Sequence, residues 1–372
     1  DAENIYVQAR EACQDYCFPS RFEEMQILEH AIDTFNDSRA AYYLGNLLYG
    51  KEHYEAAIKQ WEKALADGEN YYVLLRNLGM GYYNNQRDFP KALDMMKRAL
   101  ELAPEDAQLV FDYNHLLQLT NSPVEERLEL LGRNPEMVER RDDLYLELVR
   151  AFNQAGDCEK ALNLLASHVF TPCEGGEHAL IEQHTFAHFK LGRKAMEEGD
   201  YETALKHFRD GQFYPENLGA GVWNVAMKVP SKYYEGECLE HIAPEQAQAA
   251  YKFIDELGLD LFTYMYVPGM DYYRALAMRK LGRDEEAEAL LKELVTTSQA
   301  KLEEKDYGYF SITPFFLSLL EKPCDARSQH FNYLLGLGHA GLGETEAAKA
   351  CFDKVLTLNS GHLMADLEKS SL

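Results

Sequence analysis

The fold is decided by a stretch that the chain repeats, AYYLGNLLYGKEHYEAAIKQWEKALADGE over residues 41–69 and LRNLGMGYYNNQRDFPKALDMMKRALELAP over residues 75–104. Leu44-Gly45 recurs 34 residues later as Leu78-Gly79. Small residues at such positions let two helices approach closely, and large residues fill the space between them. The stretch therefore predicts antiparallel helix pairs that bury their apolar faces against neighbouring pairs. The other matching positions are Ala57, Trp61 and Ala64 in the first copy and Ala92, Met96 and Ala99 in the second.

More diverged copies of this pattern follow along the chain, centred on Tyr145 to Leu165, Leu191 to Phe208, Gly236 to Tyr251, Ala275 to Leu291 and Leu335 to Phe352. A helix-turn-helix unit of about 34 residues is typical of the tetratricopeptide repeat. We therefore expect an all-α tetratricopeptide-repeat superhelical solenoid of about nine helix pairs. Turns such as Gly156-Asp157 and Gly199-Asp200 separate the two helices of a pair, with glycine at positive φ and a polar residue starting the second helix.

The prediction for domain organisation is one domain over residues 1–372, with departures from the repeat concentrated in a few segments. In a solenoid, such departures usually map to loops on one face, often the binding face. The segments are an irregular first pair at 1–37 and insertions at about 169–180, 214–230, 258–272 and 303–328. Two of the insertions are rich in aromatic residues, which predicts that they fold back over the solenoid or dock to another domain or chain.

Composition limits the choice of partners. The chain has 62 acidic and 37 basic residues, a formal net charge of -25. Such a surface repels phosphate backbones and anionic lipids, so we expect no nucleic-acid and no membrane partner. The seven cysteines have no disulfide-like or CxxC spacing, which favours a reducing, cytoplasmic location. Because the chain begins at Asp1, without an initiator methionine, we expect it to be a piece of a longer protein.

A more specific resemblance covers most of the chain, from about Arg76 to Met364. In this range the sequence resembles the tetratricopeptide half of a family of large bacterial proteins, in which a β-rich half similar to carbohydrate enzymes precedes the helices. The resemblance implies a carbohydrate-related context, and it departs from the family pattern at Cys173, where the family has tryptophan. It is carried by RNLG at 76–79, ERL at 126–128, RDDLY at 141–145, PCEGGE at 172–177, YPENLG at 214–219 and YLLGLG at 333–338.

The PCEGGE segment places two carboxylates, Glu174 and Glu177, on either side of a flexible glycine pair. One interpretation is a binding loop in which these carboxylates act with Glu216 and Asn217 on sugar hydroxyls or on a basic group. The other is a tight turn in which Glu177 stabilises a helix N-terminus. Paired carboxylates that hydrolyse glycosides stand about 5–9.5 Å apart, a distance that sequence does not give. We expect no catalytic residue in this chain.

The first helix of each pair should line the inner groove. Asn46 and Asn77 match the two asparagines of the clamp with which some tetratricopeptide proteins bind a peptide C-terminus. Tyr42, Gln108 and Asp112 stand where that clamp needs lysine or arginine, so we reject it. The remaining aromatic and amide surface suits peptides or sugars, although ordinary helix packing is the commoner role for any single one of these residues. The predicted binding residues here are Tyr42, Asn46, Tyr49, Arg76, Asn77 and Tyr83.

His184 and His188 lie four residues apart and could place two imidazoles on one helix face for a metal. No third ligand is fixed by the spacing, so we predict a packing or surface role for these histidines, with no metal and no cofactor. The function predicted from the sequence is a scaffold that binds a partner domain, peptide or glycan, and not an enzyme. A missing N-terminal domain of the same protein is one such partner. The alternative is an accessory half of a carbohydrate-active enzyme, whose PCEGGE and YPENLG loops contribute to an active site elsewhere.

Overall fold

The computed structural model describes residues 19–172, 177–220, 228–258, 269–304, 319 and 323–372. Within these residues the chain forms 19 α-helices and no β-strand. In chain order they are α1 Phe22–Phe35, α2 Ser38–Gly50, α3 Tyr54–Ala66, α4 Tyr72–Gly81, α5 Phe89–Leu102, α6 Ala107–Leu119, α7 Val124–Gly132, α8 Pro135–Arg140, α9 Asp142–Ala155, α10 Cys158–Ser167, α11 Glu177–Glu197, α12 Tyr201–Asp210, α13 Val229–Ile242, α14 Pro244–Glu256, α15 Met270–Lys280, α16 Asp284–Glu303, α17 Pro323–Gly341, α18 Thr345–Leu358 and α19 Leu363–Ser370.

The chain divides into two compact units. Among the described residues, unit 1 comprises 19–120 and Leu319, and contains α1 to α6. Its helices α2 and α3 form one pair and α4 and α5 the next. A π-helical turn at Tyr82–Gln86 extends α4, and Asp88 then caps α5 by accepting a hydrogen bond from the Lys91 amide. The extra residue in the second copy of the repeat is thus absorbed between the two helices.

Unit 2 comprises the described residues from Asn121 onward, apart from Leu319. It contains five pairs among the residues described: α9–α10, α11–α12, α13–α14, α15–α16 and α17–α18. The turns within the pairs follow one pattern. Gly156 and Gly199 have φ of 87° and 79°, and the aspartate after each accepts a hydrogen bond from a backbone amide of the next helix. This confirms the turn chemistry predicted from sequence.

Close contact between a glycine on the first helix and a large side chain on the second defines the pairs in both units. A β-carbon built on Gly45 would lie 2.3 Å from Cδ1 of Trp61, and one on Gly336 would lie 2.5 Å from Cε1 of Phe352. Real β-carbons do not approach other heavy atoms so closely. The predicted packing of small against large residues is therefore confirmed. The same contact joins Gly79 with Met96, Gly192 with Phe208, and Gly236 with Tyr251.

The expected fold class, an all-α solenoid of tetratricopeptide-type helix pairs, is confirmed. The single domain over residues 1–372 and the count of nine pairs stay predictions. Of the predicted irregular segments, the pair at 1–37 and the insertions at 169–180, 214–230, 258–272 and 303–328 lie partly outside the described residues. No described helix is both long enough and apolar enough to span a membrane.

Candidate functional site

The two asparagines predicted for the groove of unit 1 bind each other. Oδ1 of Asn46 accepts hydrogen bonds from Nδ2 of Asn77, at 3.1 Å, and from Nε1 of Trp61, at 2.9 Å. Asn77 is only 6% exposed, and Trp61 is fully buried. The Asn46 carbonyl therefore satisfies two buried N–H donors, which gives both amides a role in joining three helices.

The three predicted tyrosines pack in the same region. Tyr42 and Tyr83 are buried, with 1% and 4% of their surface exposed. Tyr49 is half-buried: its ring stacks on Trp61 at 5.2 Å between centroids, and its hydroxyl donates to Oδ1 of Asn85 at 3.1 Å. Burial raises the pKa of Tyr49, so the hydroxyl stays protonated and remains a donor. These side chains lie in the packed interior of unit 1.

The cation of this region is neutralised within unit 1. Nε of Arg76 lies 2.6 Å from Oδ2 of Asp112, and Nε2 of Gln108 donates to Oδ1 of the same carboxylate at 2.9 Å. Asp112 is buried at 7% exposure. A peptide carboxylate placed beside Asn46 and Asn77 would therefore find no unpaired arginine and would be repelled by Asp112. This arrangement agrees with our rejection of the carboxylate clamp.

In unit 2, the YPENLG string contacts the segment that leads into the PCEGGE string, whose residues 173–176 lie outside the described residues. Nδ2 of Asn217 donates to the carbonyl oxygens of Leu165 and His168, both at 2.7 Å, and the Phe170 amide donates to the Asn217 carbonyl at 2.8 Å. Asn217 thus caps the C-terminal end of α10 and fastens the segment 168–172. Gly219, at φ 63°, has no room for a β-carbon, which would lie 2.8 Å from the Phe170 carbonyl oxygen.

A second set of contacts fixes the same segment to α9. Nε2 of His168 lies 2.7 Å from Oδ1 of Asp142, and the Thr171 amide donates to Oδ2 at 2.8 Å. Burial alone would raise the pKa of Asp142, but these two hydrogen bonds lower it below its usual value. The His168 ring also stacks on Tyr145 at 4.1 Å. The insertion is therefore held rigidly at its N-terminal end.

This fixed junction leaves two large apolar side chains in solvent. Val169 is 77% exposed and Phe213 is 68% exposed. We did not select either residue from the sequence, although both stand within three residues of a proline in a predicted insertion. Of the predicted acidic residues, Glu216 is exposed beside Asn217. Glu174 lies outside the described residues, and Glu177 begins α11, where its side chain is not described.

Three histidines meet between α11 and α12. Nδ1 of His188 lies 3.1 Å from Nδ1 of His207, and the rings of His184 and His188 are 4.7 Å apart. Burial lowers the pKa of His184 to about 4 and, together with the neighbouring histidines, that of His188 to about 3. Among the described residues no group of three or more His, Cys, Asp or Glu side chains could hold a metal ion. The two lowered pKa values keep His184 and His188 uncharged near neutral pH.

Two buried ion pairs of unit 2 were also missed, because their partners are remote in sequence. Nη2 of Arg127 lies 2.9 Å from Oε2 of Glu147, and Arg127 is 1% exposed. In the second pair, Nη1 of Arg193 lies 3.8 Å from Oε1 of Glu368 and donates to the Tyr234 hydroxyl at 2.6 Å. No sequence pattern links α11 to the final helix. Only the fold brings them together.

Solved structures with related helical arrangements are similar to this chain at low identity. One is YrrB, described as a tetratricopeptide-repeat protein with an unusual peptide-binding site: identity 21%, TM-score 0.37, covering 50% of this chain and 90% of YrrB. A second is Naa15/Naa10 bound to HypK-THB, at 17% identity and TM-score 0.44, where all of this chain aligns with 54% of that chain.

A third is a tetratricopeptide repeat protein from Parabacteroides merdae, at 13% identity and TM-score 0.39, with 80% of this chain and 97% of that chain covered. These likenesses are too distant to assign a site or a partner. The family comparison is more local. Residues 330–362, which contain most of α17 and all of α18, match the model of the tetratricopeptide repeat.

Proposed function

We propose that the chain is a protein-interaction scaffold whose partner, a protein or peptide, docks at the loop junction of unit 2. The observation that carries this proposal is the exposure of Val169, in the segment that Asn217 and Asp142 hold by hydrogen bonds, and of Phe213, four residues before Asn217. Covering exposed apolar side chains with a partner stabilises the complex, and a loop that is already fixed loses little conformational entropy on binding.

The charge of the chain restricts the partner further. With a formal net charge of -25 and Glu216 exposed at the junction, a neutral or basic peptide is attracted where an acidic one is repelled. We therefore propose a peptide that combines aliphatic or aromatic residues with lysine or arginine. A cytoplasmic location is part of this proposal. The described residues offer no observation that favours the accessory-enzyme alternative, and we propose no enzymatic activity.

The binding residues predicted in unit 1 are not the main binding surface in this proposal. Tyr42, Asn77 and Tyr83 are buried, and Asn46 and Arg76 have internal partners, so a ligand could reach them only after displacing those contacts. Tyr49 is the most accessible of the three predicted tyrosines. We expect substitutions in this group to change stability more than binding.

The test uses a phage-displayed library of random 12-residue peptides selected on the purified chain, followed by calorimetric titration of the enriched peptides. We expect enriched peptides to be apolar and basic. The double variant Val169→Ser/Phe213→Ser should weaken their binding at least tenfold. The matched control is Phe22→Ser/Phe35→Ser, which removes two exposed phenylalanines from unit 1. Equal affinities for both variants, or binding to a glycan array in place of peptides, would overturn the proposal.

A further inference from the structure

The last helix, α19, does not simply extend the stack of pairs. A helix that only continued the stack would contact α17 and α18, but α19 contacts α18 and also α11, which lies three pairs earlier. Its Leu363, Met364 and Leu367 pack against a buried cluster on α10 and α11. That cluster consists of Cys158, Phe186 and Ala187. Helix α19 therefore closes unit 2 by joining the end of the chain to its second pair.

The charged end of α19 enters the inner side of unit 2, the side formed by the first helices of successive pairs. Oε1 of Glu368 accepts a hydrogen bond from the Tyr273 hydroxyl of α15 at 3.4 Å and lies 3.8 Å from Nη1 of Arg193 of α11. Glu368 is 6% exposed. The carboxylate thus contacts two first helices that belong to different pairs.

The turn before α19 is fastened to the start of unit 2. Nδ2 of Asn121 donates to the Thr357 carbonyl oxygen at 3.0 Å, and Oδ1 of Asn121 accepts from the Ser360 amide at 2.7 Å. Asn121 precedes α7 and so belongs to the beginning of the unit. These bonds position α19 over the inner side independently of its own contacts, because they hold residues 357–360 and not the helix itself.

The contacts of α19 itself are weak. An isolated helix of eight residues is far shorter than the roughly 12–15 residues at which helices become marginally stable in water. Its Leu363, Met364 and Leu367 are only partly buried, and of its apolar side chains only the small Ala365 is fully buried. Burial raises the pKa of Glu368. Arg193 and the Tyr273 hydroxyl do not offset this effect, because the hydrogen bond to Tyr273 is long and Arg193 stands beyond hydrogen-bonding distance. A carboxylate buried with such poor pairing offsets part of the apolar stabilisation.

We propose that α19 is an internal ligand of unit 2, and that a partner's amphipathic helix of the same chemistry displaces it. Leu363, Met364, Leu367 and Glu368 stand at positions i, i+1, i+4 and i+5 of α19, which is one face of a helix, and the buried Ala365 at i+2 adjoins that face. A competing helix needs aliphatic residues at the first three positions and a carboxylate at the fourth, facing Arg193 and Tyr273. This inference rests on the proposed scaffold function and adds a second surface to it.

Cys158 reports the position of α19, because its thiol belongs to the cluster that α19 covers. Cys158 is 2% exposed, and burial raises its pKa to about 11, so alkylation is slow while α19 is seated. Cys238 is also buried, on α13, within a larger cluster that extends from Phe189 of α11 to Ala365 of α19. Cys324 is exposed. The three thiols therefore distinguish release of α19 from unfolding of unit 2.

The experiment follows iodoacetamide modification of each cysteine in the full chain by mass spectrometry. Glu368→Arg places a cation beside Arg193, and Leu367→Asp removes an apolar contact from the same helix. Both should speed modification of Cys158 at least tenfold with Cys238 unchanged. Asp366→Arg, on the exposed side of α19, is the matched control and should have no effect. The inference is overturned if Cys158 stays slow in both variants, or if Cys158 and Cys238 accelerate together.

A peptide arm tests displacement directly. The peptide GHLMADLEKSSL, residues 361–372, is added to the Leu367→Asp variant and should restore slow modification of Cys158. The same peptide with Glu368→Arg should not. Failure of the native peptide to protect Cys158 would overturn the proposal that a separate helix binds at the position of α19. Because this assay needs no outside partner, it is independent of the library selection that tests the loop junction.

Discussion

At the scale of single residues, the packing of five of the seven described pairs depends on a glycine that has no side chain. Gly45 faces Trp61 so closely that any β-carbon would force the indole to move. We predict that Gly45→Ala lowers the free energy of unfolding by about 1–3 kcal/mol, the usual cost of overpacking a core. Urea denaturation followed by circular dichroism measures the change.

The control for this prediction lies on the same helix. Gly50, at the end of α2, has open space where a β-carbon would stand. Gly50→Ala should leave stability unchanged or raise it by up to about 1 kcal/mol, because alanine loses less backbone entropy in a helix than glycine. Equal destabilisation by both substitutions would show that Trp61 does not limit the approach of the two helices.

Asn46, predicted from the sequence either to bind a ligand or to pack between helices, accepts two hydrogen bonds within unit 1. We predict that Asn46→Ala destabilises the chain by about 1–3 kcal/mol, because it leaves the buried N–H groups of Trp61 and Asn77 without an acceptor. Asn46→Asp keeps an acceptor and should cost less. Thermal denaturation is followed by near-ultraviolet circular dichroism, which reports the environment of Trp61. A stable Asn46→Ala variant that lost peptide binding would restore the original interpretation.

At the scale of secondary-structure elements, Asn217 connects α10 to the loop after α12. Asn217→Ala removes both hydrogen bonds to the carbonyl oxygens of Leu165 and His168. We predict a loss of about 1–2 kcal/mol and faster hydrogen exchange at the Phe170 amide, which is bonded to the Asn217 carbonyl. Glu216→Ala changes the exposed neighbour and should leave exchange at Phe170 unaltered. Unchanged exchange in both variants would mean that the segment 168–172 is held without Asn217.

The histidines between α11 and α12 make unit 2 sensitive to acid. The pKa of His184 is lowered to about 4 by burial, whereas histidine in an unfolded chain titrates near 6.5. The unfolded state therefore binds more protons between these values, so stability is complete above about pH 6.5 and declines as the pH falls toward 4. Each such group contributes a slope of up to about 1.4 kcal/mol per pH unit.

Replacement of one imidazole tests this acid sensitivity. His184→Phe should reduce the slope of unfolding free energy between pH 6.5 and 4, measured by urea denaturation at several pH values. The matched substitution His241→Phe changes an exposed histidine of the same unit and should leave the slope as it is. A slope unchanged by His184→Phe would mean that other groups cause the acid sensitivity. His188 and His207, whose pKa values are also lowered by burial, are the nearest such groups.

At the scale of the whole molecule, sequence predicts the helix pairs because their determinants are local. Gly45 and Trp61, or Gly336 and Phe352, stand 16 residues apart, within one repeat. The candidate sites were harder to predict because exposure is decided by contacts between repeats. Asn46 meets Asn77 of the next pair, and Asn121 meets Thr357 at a separation of 236 residues. No sequence periodicity predicts these contacts between residues of different repeats.

The net charge of -25 leads to a prediction for the whole chain. Exposed ion pairs such as Arg133–Glu129 contribute little, about 0–1 kcal/mol each, so screening them costs little. Screening the general repulsion among 62 acidic residues should stabilise the compact state more. We therefore expect the melting temperature to rise by a few degrees between 20 and about 300 mM NaCl, most steeply at low salt. Potassium chloride at equal ionic strength should give the same rise if screening is the cause. A melting temperature that falls with NaCl would show that attractive ion pairs outweigh the repulsion.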